Sequence, residues 1–140
     1  MSSAGHDPAA GPYGLQVAQL FATAPGAGRP EAAERSRWHS GAAREPLSGT
    51  EVRVHLRVAA GRIAELRYEV RGCPHTIAAC ALLATELPGR TLADLTVDPG
   101  GLAVRLGAPA TKLGRLFVIE DAIRAAAREV GAATAWTRGR

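Results

Sequence analysis

Aromatic residues and lysine are both scarce in this chain of 140 residues. Phe, Trp and Tyr make up only 4% of the sequence, so a core has to be built from Ala, Leu, Val and Ile. Lys112 is the single lysine, and the net charge of +4 therefore comes from arginine. Such a charge favours acidic partners or nucleic acid. The arginines are scattered and not interleaved with aromatic residues, however, which disfavours nucleic-acid binding.

Long hydrophobic runs are absent as well. No apolar run approaches the roughly 20 residues that a membrane-spanning helix needs. Residues 1–12 lack the basic and apolar regions of a signal peptide. We therefore expect a cytoplasmic protein without membrane contact, in which two cysteines do not make a disulfide framework. The length fits one domain, predicted over residues 13–131 between tails at 1–12 and 132–140.

Familiar catalytic motifs are missing. The sequence has no Gly-rich phosphate loop, no Gly-x-Ser-x-Gly elbow and no His-Glu-x-x-His. Nothing in it indicates hydrolysis or hydride transfer, and we expect that the protein is not an enzyme.

Three segments show the spacing of apolar residues that is typical of a helix. They are residues 13–24, 74–87 and 113–130, with Gly131 predicted to end the last one. Thr91 and Asp94 have the spacing of a capping box, which predicts that a short helix begins there. Residues 98–101 are predicted to form a turn, and residues 102–107 are ambiguous between strand and helix.

Two segments alternate apolar and polar residues and predict a β-hairpin with one buried and one wet face. They are residues 51–58 and 64–70, and His55 falls on the wet face. Residues 25–50 lack sustained periodicity and are interpreted as a long loop with one short strand around Trp38. The order of elements predicts an α+β domain: a small antiparallel sheet of about three strands with helices packed on one face.

Both cysteines lie in RGCPHTIAAC, residues 71–80. Cys73 precedes Pro74, which favours the first helical position, so Cys73 is the expected N-cap. The helix dipole and free backbone N–H groups there lower a thiol pKa. Two interpretations stay open: a reactive thiolate, or a small buried residue at a tight turn. Cys80 falls on the apolar stripe of the helix, and we expect it to be buried and inert.

The histidines do not form a recognisable metal site with these cysteines. His75 lies two residues after Cys73, but a tetrahedral site needs four ligands at suitable spacings. His55 and His39 are expected to be solvated, and His6 lies in the N-terminal tail.

Several segments occur in a familiar order. They are YGLQVAQLFATAPGAG (13–28), SGT (48–50), GRIAELRYEVRGCPHTIAACALLATEL (61–87), PGRTLADL (88–95) and KLGRLFVIEDAIRAAA (112–127). In this order and spacing the chain resembles the U-type iron–sulfur cluster assembly scaffold family, the NifU N-terminal or IscU-like domain. The resemblance covers Tyr13 to Gly131, and its most specific piece is residues 61–87.

The resemblance implies a [2Fe–2S] cluster held on three cysteines with help from an aspartate and a histidine. Cys73 stands at one cysteine position. The other positions carry Ser48, Thr50, Gly114 and Arg115. Because such a cluster needs four ligands, the resemblance implies a divergent member that does not hold a [2Fe–2S] cluster alone. Arg115 is also expected to lower the pKa of Cys73 further.

The family's partners are a cysteine desulfurase and a co-chaperone. Pro109 and Lys112 match the chaperone-recognition segment and are the predicted partner-binding residues. Two alternatives remain beside the scaffold function: an interaction module that docks to assembly partners without a cluster, and a thiol-based redox or sulfur-transfer protein using Cys73. The role of the 29–46 loop and the oligomeric state are left open by the sequence.

Overall fold

The computed structural model describes residues 14–138, with side chains for residues 14–131. This part of the chain contains four α-helices and a three-stranded antiparallel sheet of order β1-β2-β3. The helices are α1 (Gly14–Thr23), α2 (Pro74–Glu86), α3 (Pro99–Leu106) and α4 (Leu113–Arg138). The strands are β1 (Trp38–Glu45), β2 (Thr50–Ala59) and β3 (Arg62–Arg71). The predicted α+β class is confirmed.

The helices pack on one face of the sheet. α4 lies along β1 and β2, α2 lies on β3, α1 packs against α2, and α3 packs against α4. Apolar side chains from both layers form one core, including Val17, Val54, Leu56, Ile63, Leu116, Ile119 and Ile123. The opposite face, here called the open face, carries the side chains that alternate with the buried ones.

The β2–β3 hairpin confirms the sequence pattern. The two residues of its turn, Ala60 and Gly61, have φ of 54° and 74°, the backbone of a two-residue turn that matches the strand twist. The strands pair antiparallel, with Val54 opposite Tyr68. The predicted apolar face is therefore buried under the helices at Val52, Val54, Leu56, Leu66 and Tyr68. Near the turn the register shifts at Arg57/Val58, and Ile63 rather than Ala64 is buried opposite Val58.

The strand predicted around Trp38 is present but longer than expected, so the predicted loop over residues 25–50 is shorter. Residues 38–45 form β1, a full edge strand paired with β2 from Trp38–Arg57 to Glu45–Thr50. Residues Ala32–Arg37 form a 3₁₀ turn before it. The helix-facing positions of β1 include Gly41 and Ala43, which are small because α4 packs on this strand. The alternation signal is therefore weak.

The predicted short helix at Thr91 was wrong. One contact of the capping box does form, because the Thr91 hydroxyl accepts from Asp94 N at 3.2 Å; the same hydroxyl also donates to Asp94 Oδ2 at 2.9 Å. However, the chain continues as a turn. It is tied back to the hairpin, because Thr91 pairs with Arg62 and the backbone of Leu92 donates to Gly61.

Residues 98–101, predicted as a turn, instead begin α3. The Asp98 carboxylate accepts from the backbone N–H of Gly101 at 3.1 Å, and Pro99 occupies the first turn. Gly107, with φ of 65°, ends the helix. These caps explain why residues 102–106 are helical rather than a strand, although the first turn contains two glycines.

The terminal helices differ from prediction in detail. α4 continues through Gly131 to Arg138, so the predicted end at Gly131 was wrong. In α1, Val17 is buried as expected, but Phe21 is 47% exposed and not on the buried face. The predicted tail at 1–12 and Tyr13 lie outside the described residues, and the predicted domain boundaries remain a prediction.

No helix within residues 14–138 combines the length and apolar character that crossing a bilayer requires.

Candidate functional site around Cys73

Cys73 lies between the end of β3 and the start of α2. It occupies the N-cap of α2 with extended backbone, and Pro74 follows in the first turn, as the Gly-Cys-Pro sequence predicts. Its side chain is partly exposed, whereas Cys80 is 2% exposed in the core. Burial raises the pKa of Cys80 far above its ordinary value. The prediction that Cys80 is a buried core residue is confirmed.

The surroundings of Cys73 favour the thiolate. Its Sγ lies 3.5 Å from the Thr76 hydroxyl. Burial raises the pKa of Cys73, whereas hydrogen bonds from the Thr76 hydroxyl and backbone N–H lower it. The Arg115 side chain and the charge of Lys112 lower it further, and the net pKa is about 7. The predicted effect of Arg115 on Cys73 is thus present in the structure.

Two of the predicted ligand positions lie where β1 connects to β2, Ser48 in the turn and Thr50 at the first residue of β2. Ser48 Oγ is 2.8 Å from Thr50 Oγ1 and accepts from Thr50 N at 3.2 Å. Thr50 is 2% exposed, and its Cγ2 would lie 3.3 Å from a Cβ placed on Gly72. The turn therefore packs beside the residue that precedes Cys73.

Glu45 stabilises this turn, a role that the sequence did not indicate. Its carboxylate accepts from Leu47 N at 2.7 Å and Ser48 N at 2.9 Å. Hydrogen bonds from Ser48 and Leu47 lower the pKa of Glu45, and the charge of Arg115 contributes in the same direction. Arg115 is therefore close enough to both Glu45 and Cys73 to lower the pKa of each group. Gly114, at the position predicted to match the family's histidine, has no side chain.

His75 and Lys112 complete the site. His75 is 4% exposed, and its Nδ1 lies 3.2 Å from Lys112 Nζ. Burial and the charges of Lys112 and Arg115 lower the pKa of His75, so the imidazole is neutral near pH 7. Lys112, singled out as a chaperone-segment residue, thus lies at the thiolate site. Pro109 caps the short 3₁₀ turn that leads into α4.

The donor set does not fit a cluster held by this chain alone. Within residues 14–131, no three His, Cys, Asp or Glu side chains converge in a way that could hold a metal ion. The thiolate is flanked by two cations, Arg115 and Lys112. A guanidinium and an ammonium repel iron and cannot serve as ligands.

The prediction that His55 is solvated was wrong. This histidine is 7% exposed on the open face, where its Nδ1 lies 2.7 Å from Ser40 Oγ and its Nε2 lies 2.8 Å from Glu69 Oε2. Glu69 also accepts from Arg29 Nη2 at 3.0 Å. Because β2 is the central strand, residues of both neighbouring strands flank the ring, and a polar–apolar alternation cannot report that.

Comparison with known proteins identifies related sequences. Residues 13–135 match the family described as NifU-like N terminal domain. The chain is 31% identical over 86 residues to the iron–sulfur cluster assembly scaffold protein IscU of Azotobacter vinelandii, covering 60% of this chain and 67% of that protein.

Solved structures share the fold. The N-terminal NifU-like protein of Brucella abortus has a TM-score of 0.66 at 14% identity, over 86% of this chain and 94% of that one. The putative iron–sulfur cluster assembly scaffold protein for the SUF system of Fervidobacterium islandicum has a TM-score of 0.62 at 13% identity, over 82% of this chain and 96% of that one. The expected resemblance is confirmed, and the chain belongs to the NifU-like N-terminal domain family.

Proposed function

We propose that this protein acts in iron–sulfur cluster assembly as a scaffold-family member that does not hold a [2Fe–2S] cluster alone and uses Cys73 to accept sulfur. The family membership supports the process. The observation that supports the role of Cys73 is its environment: a thiol of pKa about 7 beside two cations. The matching ligand positions carry Ser48, Thr50, Gly114 and Arg115.

The proposed step is a sulfur transfer that balances without an external oxidant. The Cys73 thiolate attacks the terminal sulfur of a persulfide on a cysteine desulfurase. A new S–S bond forms to Cys73, the S–S bond of the donor breaks, and the donor cysteine leaves as a thiolate. The proton of the donor persulfide stays on the transferred sulfur.

The side chains around Cys73 suit this step. With a pKa of about 7, a large fraction of Cys73 is ionised at neutral pH. Arg115 and Lys112 stabilise negative charge on the thiolate and on the persulfide formed from it. His75 is neutral and does not compete as a cation.

The partners follow from the same proposal. A cysteine desulfurase delivers the sulfur, and a co-chaperone contacts Pro109 and Lys112 at the start of α4. The protein acts in the cytoplasm and is not itself an enzyme.

A second candidate is an interaction module that docks to assembly partners without taking sulfur. The replaced ligand positions favour it, because none of the four residues there carries a thiolate or a carboxylate. A redox function is less well supported, since Cys80 is buried in the core and unsuited to resolve a disulfide with Cys73.

The experiment compares wild type with Cys73→Ser, and with Cys80→Ala as the matched control that keeps Cys73. Each protein is purified without oxygen, analysed for iron and zinc, and incubated with a cysteine desulfurase and L-cysteine. We expect no stoichiometric metal, and a mass gain of one sulfur atom in wild type and Cys80→Ala but not in Cys73→Ser.

Other outcomes discriminate between the candidates. Two irons per chain with a stable visible chromophore would contradict the proposal, because the chain would then hold a cluster alone. No metal and no added sulfur in any variant would favour the interaction module.

A further inference from the structure

The charge of this protein is unevenly distributed between its two faces. The charged side chains of the open face, together with Arg29 and Arg35 beside it, are here called the basic surface. They are Arg29, Arg35, Arg44, Arg53, Arg57, Arg67 and Arg71, with Glu51, Glu65 and Glu69. The basic surface thus carries seven arginines and three glutamates, whereas the remainder of residues 14–131 has eight basic and nine acidic residues. The positive excess of this part of the chain lies on one surface.

At one end of the basic surface, the arginine side chains form ion pairs with a glutamate of the same surface. Arg57 and Arg67 each bond Glu65, at 3.3 and 3.0 Å. Both guanidinium groups also lie over the Trp38 ring, at 5.9 and 6.0 Å from its centroid. This end is rigid and contributes little to recognition of another molecule.

The other end has arginines with unused donors. Among the described residues, the side chains of Arg53 and Arg71 make no hydrogen bond or ion pair. The Arg35 side chain has only a 3.5 Å contact to the carbonyl of Pro30. Glu69 lies opposite Arg53 on β3, but its carboxylate hydrogen-bonds Arg29 and His55 and not Arg53.

Two grooves meet at these arginines. One, of about 580 Å³, is lined by Arg44, Arg53 and Arg71 among others. The second, of about 350 Å³, is lined by Arg29, Arg35 and Arg53. Arg53 and Glu69 line both, so the grooves adjoin and present arginines along their length.

We propose that the basic surface binds an acidic segment of a partner protein. Guanidinium groups bind carboxylates through paired hydrogen bonds, and arginines with unused donors keep that capacity. The surface lacks an exposed aromatic platform for bases, since Trp38 is 8% exposed. Glutamates interspersed along it oppose a continuous polyanion but leave discrete places for carboxylates. The proposal is independent of Cys73 and of the proposed sulfur transfer.

The test measures binding of a fluorescein-labelled deca-glutamate peptide by fluorescence anisotropy at low and high salt. The variant Arg53→Glu/Arg71→Glu is compared with Arg124→Glu/Arg128→Glu, which makes the same charge change on exposed positions of α4. We expect saturable binding that salt weakens, a loss of at least about tenfold in the first variant, and less than about twofold in the second. Cys73→Ser should bind as wild type does.

Chemical-shift mapping on the wild-type protein keeps the test decisive if a variant fails to fold. The peptide should shift backbone amides around Arg53 and Arg71 and leave those of α4 unchanged. Equal losses in both double variants would overturn the proposal, because net charge alone would then explain binding. Absence of saturable binding at low salt would overturn it too, as would tighter binding of a DNA oligonucleotide of equal charge.

Discussion

At the residue scale, the two cysteines show that position rather than residue type sets reactivity. Cys73 and Cys80 lie seven residues apart on the same helix region. At Cys73, burial raises the pKa, but hydrogen bonds from the Thr76 hydroxyl and backbone N–H, together with Arg115 and Lys112, outweigh it and bring the pKa to about 7. Cys80 lies in the hydrophobic core, and burial raises its pKa. The Cys73 thiol is therefore easily ionised and reactive, whereas the Cys80 thiol is a buried part of the core.

Replacing Arg115 should make Cys73 less reactive at neutral pH. In Arg115→Ala, the loss of a hydrogen bond and a positive charge should raise the pKa of Cys73 by about half a unit to one unit. The midpoint of the iodoacetamide alkylation rate against pH measures this shift. The matched control, Arg124→Ala, removes an exposed arginine elsewhere on α4 and should leave the midpoint unchanged. An unchanged midpoint in Arg115→Ala would show that Thr76 and the helix terminus suffice.

At the element scale, the contact between α4 and β1 depends on one glycine. A Cβ on Gly41 would lie 2.5 Å from the carbonyl oxygen of Ala122 and would also overlap the backbone nitrogen of Ala126. The opposing atoms belong to the helix backbone and cannot turn aside as a flexible side chain would. Glycine at this position thus allows α4 to approach the sheet closely.

Gly41→Ala should therefore destabilise the fold by about 1–3 kcal/mol, since α4 must move away from β1. Urea unfolding followed by circular dichroism gives the free energy of unfolding. Gly114→Ala is the matched control, because a Cβ there meets no atom within 4 Å; we expect no loss, and a gain of up to about 1 kcal/mol from helix propensity. Equal stability of Gly41→Ala and wild type would mean that the two elements separate without cost.

At the scale of the whole molecule, the lowered pKa of Cys73 links folding to pH. In the unfolded chain, a cysteine has a pKa of about 8.5, whereas in the folded protein the pKa of Cys73 is about 7. The unfolded state therefore binds more protons between these values. The stabilisation is complete above the unfolded pKa and is lost as the pH falls through about 7.

The free energy of unfolding should consequently rise between pH 7 and pH 8.5 in wild type, relative to Cys73→Ser. Urea unfolding of both proteins at several pH values measures the difference, and titrations common to both proteins cancel. Tyr68, whose pKa burial raises to about 12, does not titrate in this range. A difference independent of pH would show that Cys73 has the same pKa in both states.

Local features of the fold and site were predictable from neighbouring residues. The hairpin followed from strict alternation, the N-cap at Cys73 from Gly-Cys-Pro, and the burial of Cys80 from the spacing of its helix. Each of these depends on residues within one or two turns of chain. The end of α4 did not follow, because one glycine at position 131 lowers helix propensity but does not by itself end a helix.

Order and spacing along the chain indicated the family, the α+β class and the different positions of the two cysteines, because local patterns carry that information. Tertiary packing was needed to bring Lys112 close to Cys73, to bury His55, and to gather the arginines on one face. These residues are distant in sequence and meet only when strands pair and helices pack. Their charges and burial are properties of that assembled geometry, not of the local pattern.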